Sequence, residues 1–220
     1  MSARLTRGEY WLLAKAATYR LPLPLLALPE GPPWDRATID QAMNCEGHGM
    51  AIDELARTLH GLARRGWIEI KPTHASRPQV YEFEGLIIEL KKGGSFSDHA
   101  YYGLTLEGGE VWETFARPRW HLYYDASCES IGDQISPEIW QGEVTTINRR
   151  TLDTYMQARR QEVDIVEDTE EIGEVTEWSM VYWKQPCRAW CCRFVFRERK
   201  HCQSDWRTTE NMRHLWCEWQ

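Results

Sequence analysis

LHGLARRGWI, residues 59–68, joins the end of a helix to the start of a strand and decides the fold of the first half of the chain. Gly66 supplies a helix stop, because glycine accepts the left-handed backbone that often ends a helix. Residues 67–70, Trp-Ile-Glu-Ile, then predict a strand with alternating faces. Upstream, apolar residues recur at helical spacing and predict one buried face of a helix over residues 50–65: Ile52, Leu55, Leu59 and Leu62.

The segment before this helix predicts two further helices. Thr6 and Glu9 have the spacing of a capping box, so a first helix begins there. A proline-rich stretch, residues 22–33, ends that helix, because proline lacks the amide donor that a helix interior needs. A second helix is predicted over about residues 35–44, ended by the glycines that follow. Its inward-facing residues are predicted to be Ile39, Ala42 and Met43.

A second motif, YGLTLEG at residues 102–108, predicts a strand that runs into a helix. Thr105 is placed to cap that helix, and Trp112 and Phe115 are placed to pack it on the core. Between the two predicted strands, in the run of residues 79–92, Tyr81 and Phe83 alternate with Glu82 and Glu84. This alternation predicts another strand.

Together, the two motifs resemble the winged-helix pattern of the bacterial-type regulators of the MarR and PadR kind, over residues 5–116. In that pattern a recognition helix ends at a glycine, a strand follows, and a two-stranded wing closes before another helix. The resemblance implies a winged helix-turn-helix domain over residues 1–117, with a wing enlarged to residues 71–100. Winged helices dock proteins as well as DNA, so the fold alone leaves the function open.

A DNA-binding function would place positively charged residues of this domain on phosphates. The helix over residues 50–65 nevertheless opens with Asp53 and Glu54, where DNA readers carry groups that bond to bases. Residues 1–75 hold 9 Lys and Arg against 8 Asp and Glu, so the domain has no strong basic excess. The candidate phosphate contacts are Arg57, His60, Arg64, Arg65, Lys71, Lys91 and Lys92.

Residues 118–220 predict a second, smaller α+β domain with an antiparallel sheet of about four strands, so the whole chain is of the α+β class. We expect a helix over residues 149–161, with Leu152, Tyr155 and Met156 on its buried face. A hairpin and a closing helix are also predicted. The expected strands lie at residues 121–125, 142–148, 178–183 and 189–196, and the closing helix lies at about residues 208–217.

An acidic segment, residues 162–177, carries eight Asp and Glu and no Lys or Arg. Its apolar residues predict a strand and a turn near Gly173 rather than disorder. Two interpretations stay open: a solvated sheet edge that charge keeps from aggregating, and a docking face for a basic partner. Large aromatic residues are enriched nearby, as they are in cores and interfaces. The candidate protein contacts are Asp164, Glu167, Asp168, Glu170, Glu171, Trp178 and Trp183.

The cysteines number seven, and the sequence shows no export signal and no apolar run of membrane length. We therefore expect a cytoplasmic protein with reduced thiols and no membrane contact. A cluster of Cys and His near the C-terminus lacks the Cys-x-x-Cys pairs typical of zinc sites, so we predict no metal and no cofactor. This cluster comprises Cys187, Cys191, Cys192, His201, Cys202, His214 and Cys217.

No known catalytic motif is present, since the sequence has neither a nucleophile elbow, nor a phosphate loop, nor a dinucleotide fingerprint. One short match remains: Glu198 and Lys200 resemble half of a metal-dependent nuclease site. Asp164 or Asp168 would then supply the second carboxylate. Because a match of this length arises easily by chance, a nuclease is the most distant alternative, and no catalytic residue is predicted.

The net charge of −7 and the excess of aromatic residues favour a non-enzymatic intracellular binding protein that acts through protein–protein contacts. An inhibitor, an immunity or defence protein and a subunit of a larger assembly all fit this prediction. A toxin nuclease is one basic partner of the expected kind. A DNA-binding winged-helix transcriptional regulator is the alternative.

Overall fold

A computed structural model describes residues 4–27, 36–74, 77–92, 98–132, 138–199 and 216–217. The chain folds as two compact units. Unit 1 comprises Met1–Phe115 together with Val181–Trp183, and unit 2 comprises Ala116–Met180 together with Lys184–Gln220. Helices occur alongside antiparallel sheets, which confirms the predicted α+β class.

Unit 1 combines helices with a small antiparallel sheet. Its elements are α1 (Arg7–Lys15), β1 (Leu21–Pro22), a 3₁₀ turn (Leu23–Leu26), α2 (Arg36–His48), α3 (Ile52–Arg64), β2 (Ile68–Pro72), α4 (Phe83–Lys91), β3 (Ala100–Leu104) and α5 (Leu106–Ala116). The strand order is β1-β3-β2. Tyr102 in the middle strand lies opposite Leu21 on one side and Ile70 on the other, and all three side chains are buried.

Helices α1 and α3 form as the sequence predicts. The Thr6 hydroxyl accepts a hydrogen bond from the Glu9 amide at 3.2 Å, and the Glu9 carboxylate accepts one from the Thr6 amide at 2.8 Å, so a capping box starts α1. The predicted leucines of α3 are buried. Gly66 has a φ of 71°, the left-handed conformation in which a residue with a side chain would be strained, and it ends α3 as predicted.

The YGLTLEG motif forms a strand that runs into a helix. The Thr105 hydroxyl accepts a hydrogen bond from the Gly108 amide at 3.0 Å, which confirms the predicted cap of α5. Packing requires a glycine at position 108, because a Cβ there would lie 1.7 Å from the Trp67 carbonyl oxygen. Trp112 is buried as predicted, whereas Phe115 is 40% exposed and does not join the core.

The interval between β2 and β3 contains a helix, α4, so the predicted strand over residues 79–92 is wrong. The alternation that suggested a strand covers only residues 81–84. From Phe83 onward the apolar residues follow helical spacing, and Leu86 and Leu90 are buried. Helix α4 packs against α3 and against the 3₁₀ turn. The segment that the sequence assigned to an enlarged wing therefore carries a helix.

Helix α2 is longer than predicted and faces the other way. It runs through Gly47 to His48, and the Trp11 ring occupies the place that a side chain at position 47 would need. The predicted inward residues Ile39, Ala42 and Met43 are exposed, Ile39 by 53% and Met43 by 65%. The prediction of an apolar inner face is therefore wrong.

The inner face of α2 is polar because it meets backbone carbonyl groups of the 3₁₀ turn. The Gln41 amide donates to the Pro24 carbonyl at 2.8 Å, and the Asn44 amide donates to the Leu25 carbonyl at 2.9 Å. Buried carbonyl groups need donors, and the carbonyls of the turn find them on this helix. Hydrogen bonding thus decides the orientation of α2, where hydrophobic periodicity gives the wrong answer.

In its described residues, unit 2 is an antiparallel sheet of five strands with one helix packed on its face. Its elements are a 3₁₀ turn (Trp120–Leu122), β4 (Tyr124–Ser130), β5 (Ile139–Thr146), α6 (Arg149–Glu162), β6 (Val163–Ile165), β7 (Glu171–Trp178) and β8 (Cys187–Glu198). The strand order is β4-β5-β8-β6, and β7 pairs with β8 as well. One edge of β8 pairs with β5. On the other edge of β8, β7 pairs with the first half of the strand and β6 pairs with its end.

The core of unit 2 lies between α6 and the sheet. The predicted helix over residues 149–161 is confirmed, and its predicted inner residues are all buried. Asn148 caps it by accepting a hydrogen bond from the Thr151 amide at 2.8 Å. The core side chains are Tyr124, Val144, Leu152, Tyr155, Met156, Val163, Cys192, Phe194 and Phe196.

The strands of unit 2 differ from the prediction in position and number. Gly173 lies inside β7 opposite Cys191, so the predicted turn near Gly173 is wrong. The strand predicted at residues 178–183 is also wrong, because β7 ends at Trp178 and Val181–Trp183 pack in unit 1. The strands predicted at 121–125 and 142–148 form at 124–130 and 139–146. Most of the predicted helix over residues 208–217 lies outside the described residues.

Candidate functional site

The acidic segment of the sequence forms a strand that is exposed along most of its length. In β7, only Val175 and Trp178 are half-buried, while the other side chains lie in solvent. Within the described part of the chain, β7 pairs with β8 and with no other strand. We call β7 and the loop before it, residues 166–178, the acidic edge.

The loop of the acidic edge is fixed to the sheet by hydrogen bonds to one residue of β8. The Val166 amide donates to the Val195 carbonyl at 2.9 Å. The Thr169 hydroxyl accepts a hydrogen bond from the Val195 amide at 3.1 Å. The carboxylates of this loop are therefore presented from an anchored backbone.

Some carboxylates of the acidic segment are neutralised by neighbouring arginines. Asp164 accepts a hydrogen bond from Arg199 at 2.6 Å, and Glu170 is held by both Arg160 nitrogens, at 2.5 and 3.2 Å. Glu171 lies opposite Arg193 in the sheet, although that arginine donates to Glu143 at 2.6 Å. The carboxylates of Asp164 and Glu170 are thus satisfied within the chain and offer less to a partner, whereas the described structure gives Glu171 no ion pair.

The remaining carboxylates of the acidic edge are exposed and carry no ion pair in the described structure: Glu167, Asp168, Glu174 and Glu177. A polar cleft of about 660 Å³ lies beside the loop. Its walls include Glu167 and Asp168 as well as the ion-paired Arg160 and Arg199. This side of unit 2 therefore presents uncompensated negative charge.

An aromatic cluster lies at the end of β7. The ring of half-buried Trp178 is 6.3 Å from that of Tyr123, and Tyr123 packs edge-on at 5.0 Å against Trp216. Trp120 stacks on Trp216 at 5.0 Å, and the Lys184 ammonium lies 4.9 Å from the Trp120 ring centre. The Trp120 ring thus carries a cation–π contact from within the chain.

Trp183 does not belong to this surface. It is buried in unit 1, where its indole donates a hydrogen bond to the Ala17 carbonyl at 2.8 Å. Its ring meets Trp112 edge-on at 6.5 Å. The structure therefore removes Trp183 from the candidate protein contacts and makes it a core residue.

The candidate DNA contacts of unit 1 lie around α3, but several of them are engaged by other groups. The Arg57 guanidinium lies 5.5 Å from the ring centre of Phe83, at the start of α4, and His60 lies 4.0 Å from Glu82. Arg65 forms an ion pair with Glu9 and stacks 4.1 Å from the Trp67 ring centre. Helix α4 thus partly occupies the α3 surface.

The other candidate cations are less constrained. Lys92 lies 3.5 Å from Glu89, one turn away on α4. For Arg64, Lys71 and Lys91, the described structure gives no ion pair. These three residues remain available to an anionic ligand.

Two carboxylates of the nuclease hypothesis, Asp164 and Glu198, are not brought together. Val163 lies opposite Glu198 and Asp164 lies opposite Arg197, so Asp164 and Glu198 project from opposite faces of the sheet. Asp164 is paired with Arg199, and Lys200 lies outside the described residues. A carboxylate pair that bridges one metal ion is therefore not formed by Asp164 and Glu198.

The cysteines of β8 are separated in the same way. Cys192 faces the core, where burial raises the pKa of its thiol to about 11, and Cys191 faces the other side of the sheet. Among the described residues, no group of three or more His, Cys, Asp and Glu could hold a metal ion. His201, Cys202 and His214 lie outside the described part of the chain.

No protein-family model matches this chain, and neither does any curated protein or solved structure compared with it. In the described structure, no helix combines the length and the apolar character that crossing a bilayer requires.

Sequence reasoning found the charges of the acidic edge and a strand within the acidic segment, but it predicted a turn where that strand continues. Gly173 suggested a turn, whereas Ile172 and Val175 on either side of it continue the strand. The β-branched residues around the glycine were the signal that could have identified β7. Helix α4 was not predicted either, because the alternation at residues 81–84 favours a strand, while the helical spacing of the apolar residues starts only at Phe83.

Proposed function

We propose that this chain is a non-enzymatic binding protein that holds a basic protein partner through the acidic edge. The observation that carries the proposal is the exposed strand β7, with uncompensated carboxylates on the strand and on the anchored loop before it. Opposite charge on a partner steers its approach and selects against acidic competitors. An inhibitor or immunity protein acting on a basic enzyme, or an assembly subunit, would work in this way.

The available carboxylates are well placed for such a contact. Glu174 and Glu177 are exposed on β7 itself, and Glu167 and Asp168 are exposed on the loop that leads into it. Trp178 ends the strand with a half-buried ring, and tryptophan is among the residues that most often dominate binding energy. We expect charge to accelerate association and Trp178 to slow dissociation.

For unit 1 we propose a winged-helix fold that supports protein contacts rather than DNA reading. The order α1, β1, α2, α3, β2, β3, interrupted by α4 between β2 and β3, and the sheet order β1-β3-β2 support a winged helix with an inserted helix. The packing of α4 on α3 and the ion pairing of Arg65 argue against free access of DNA to this helix. DNA binding through Arg64, Lys71 and Lys91 is the alternative.

We place the protein in the cytoplasm. The cysteines of the described residues form no disulfide, which fits a reducing compartment.

The proposal is tested by reversing charge on the acidic edge. The tagged chain captures its partner from the native host, the partner is identified and purified, and the affinity is measured by calorimetry. We expect Glu174→Lys with Glu177→Lys to weaken binding by at least about tenfold, because attraction becomes repulsion. We also expect the affinity of the unaltered chain to fall between about 50 mM and 300 mM salt, because screening shortens the range of the charges.

The matched control is Glu110→Lys with Glu129→Lys, which changes the net charge equally at exposed sites outside the acidic edge. This variant should bind within about threefold of the unaltered chain, because screening limits distant charges. An equal loss in both variants would show that only net charge matters, and an unchanged affinity in the β7 variant would refute the proposed site.

A further inference from the structure

The edge of β7 that faces away from β8 has the chemistry of an unpaired sheet edge. The backbone amide and carbonyl groups of a strand point alternately to its two sides, and β8 satisfies those on one side only. Among the residues that the structure describes, no strand lies on the other side. We propose that the partner adds an extended basic strand to this edge, pairing with Glu171–Val175. This inference rests on the proposed function and names the partner's binding segment.

The geometry of β7 favours strand addition over a purely side-chain contact. Glu171–Val175 run in regular antiparallel register with Ala189–Arg193 of β8, which keeps the outward groups evenly aligned. The register is interrupted between Val175 and Trp178, so the regular edge ends there. Exposed edges of this kind are templates for a strand from another chain.

Gly173 is an independent sign that another chain approaches this edge. A Cβ at this position would meet no atom of the described structure within 4 Å, so packing inside the chain does not require glycine. Its backbone is not left-handed either. A glycine inside a strand lowers strand stability, and it often marks a place where another backbone comes close.

The side chains of β7 specify the chemistry of the added strand. Successive residues point to opposite faces, so Glu171 lies on one face of the sheet and Glu174 on the other. A strand beside them therefore needs lysine or arginine on both of its faces. Ile172, which is 39% exposed, offers apolar contact to an aliphatic neighbour. The expected partner segment is thus basic, extended and interspersed with β-branched residues.

The test uses the whole chain and a synthetic peptide, Thr-Lys-Val-Lys-Lys-Val-Lys-Thr, which as a strand places two lysines on each face. Its analogue is N-methylated on the four central residues, which keeps the charge but removes the amide donors needed for strand pairing. Binding is measured by fluorescence anisotropy, and hydrogen exchange locates the protected amides. We expect the peptide to bind and to protect amides within residues 171–175. We expect the analogue to bind at least about tenfold more weakly than the peptide. The loss of two hydrogen bonds already accounts for a factor of that size.

The outcomes separate the binding mode from the proposed function. Equal binding of peptide and analogue, both weakened by Glu174→Lys with Glu177→Lys, would support an acidic docking site and overturn strand addition. Protection of residues 124–130 instead would move the added strand to β4 at the opposite edge of the sheet and overturn the assignment to β7. No binding of either peptide, or binding that ignores the charge reversal, would overturn both the inference and its premise.

Discussion

The buried side chain of His48 links the end of α2 to the 3₁₀ turn and to the residues before α3 by hydrogen bonds. It is 4% exposed, and its Nδ1 accepts a hydrogen bond from the Met50 amide at 2.9 Å. Its Nε2 must then carry the proton that is donated to the Leu26 carbonyl, also at 2.9 Å. This arrangement uses the neutral imidazole, and burial lowers the pKa of His48 below its ordinary value.

We therefore predict that acid weakens unit 1 through His48. Because the unfolded chain takes up the proton at a higher pH than the folded chain, the free energy of unfolding should fall as the pH drops below the ordinary value of 6.5. Above that pH, the stabilising contribution of neutral His48 to the free energy of unfolding is fully present. Urea unfolding between about pH 5 and pH 7.5 measures it.

Two variants separate His48 from the other histidines. His48→Gln should be less stable at neutral pH and should lack this part of the pH dependence. His121→Gln, at an exposed position, should keep it. A His48→Gln variant with an unaltered pH profile would show that the effect comes from other groups.

Trp183 tests whether the segment Val181–Trp183 belongs to the core of unit 1. We predict that Trp183→Ala costs about 3–5 kcal/mol of unfolding free energy, because a large buried ring is lost. Trp183→Phe should cost less, mainly the hydrogen bond to Ala17, about 1 kcal/mol. Chemical denaturation measures both. A cost of Trp183→Ala no larger than that of Trp178→Ala, at the half-buried position, would contradict the assignment.

At the scale of the helix, we predict that replacing a polar residue of α2 destabilises the protein more than replacing its large apolar residues does. Ile39→Ser and Met43→Ser should each cost less than about 0.5 kcal/mol, because both side chains are exposed. Asn44→Ala should cost about 1–3 kcal/mol, because it leaves the Leu25 carbonyl without its donor. Urea unfolding of the three variants measures these losses of unfolding free energy. A larger loss in Ile39→Ser and Met43→Ser than in Asn44→Ala would show that α2 packs by its apolar face.

The elements that the sequence predicts well are those in which local signals and packing agree. In α3, the leucine spacing and Gly66 point to the same helix, and the helix forms with that face buried. In α5, the cap at Thr105 and the close approach at Gly108 belong to one motif. Such elements need no knowledge of distant residues.

The elements that the sequence predicts poorly depend on contacts that lie far away in the chain. The orientation of α2 follows from carbonyl groups of the 3₁₀ turn, which periodicity within the helix cannot show. Val181–Trp183 resemble a strand, but they pack against residues of unit 1 such as Ala17. The candidate site was predicted by charge and residue type, while its form as an edge strand depends on pairing with β8.

At the scale of the molecule, the two units present different surfaces. In unit 1 the inserted helix α4 and nearby carboxylates engage cations that a DNA-binding protein would keep free. In unit 2 the exposed strand β7 carries carboxylates that no arginine of the described structure neutralises. This contrast supports the proposed binding of a basic protein and makes nucleic acid the less favoured ligand.

The most direct test of this account is to titrate the whole chain side by side with its purified basic partner and with a random-sequence DNA duplex, across a salt series. We predict binding to the partner that weakens with salt, and no measurable binding to the duplex even at low salt. Binding to the duplex that is lost in a variant with Arg64→Ala and Lys71→Ala, together with no salt-sensitive binding to any basic protein, would contradict the account.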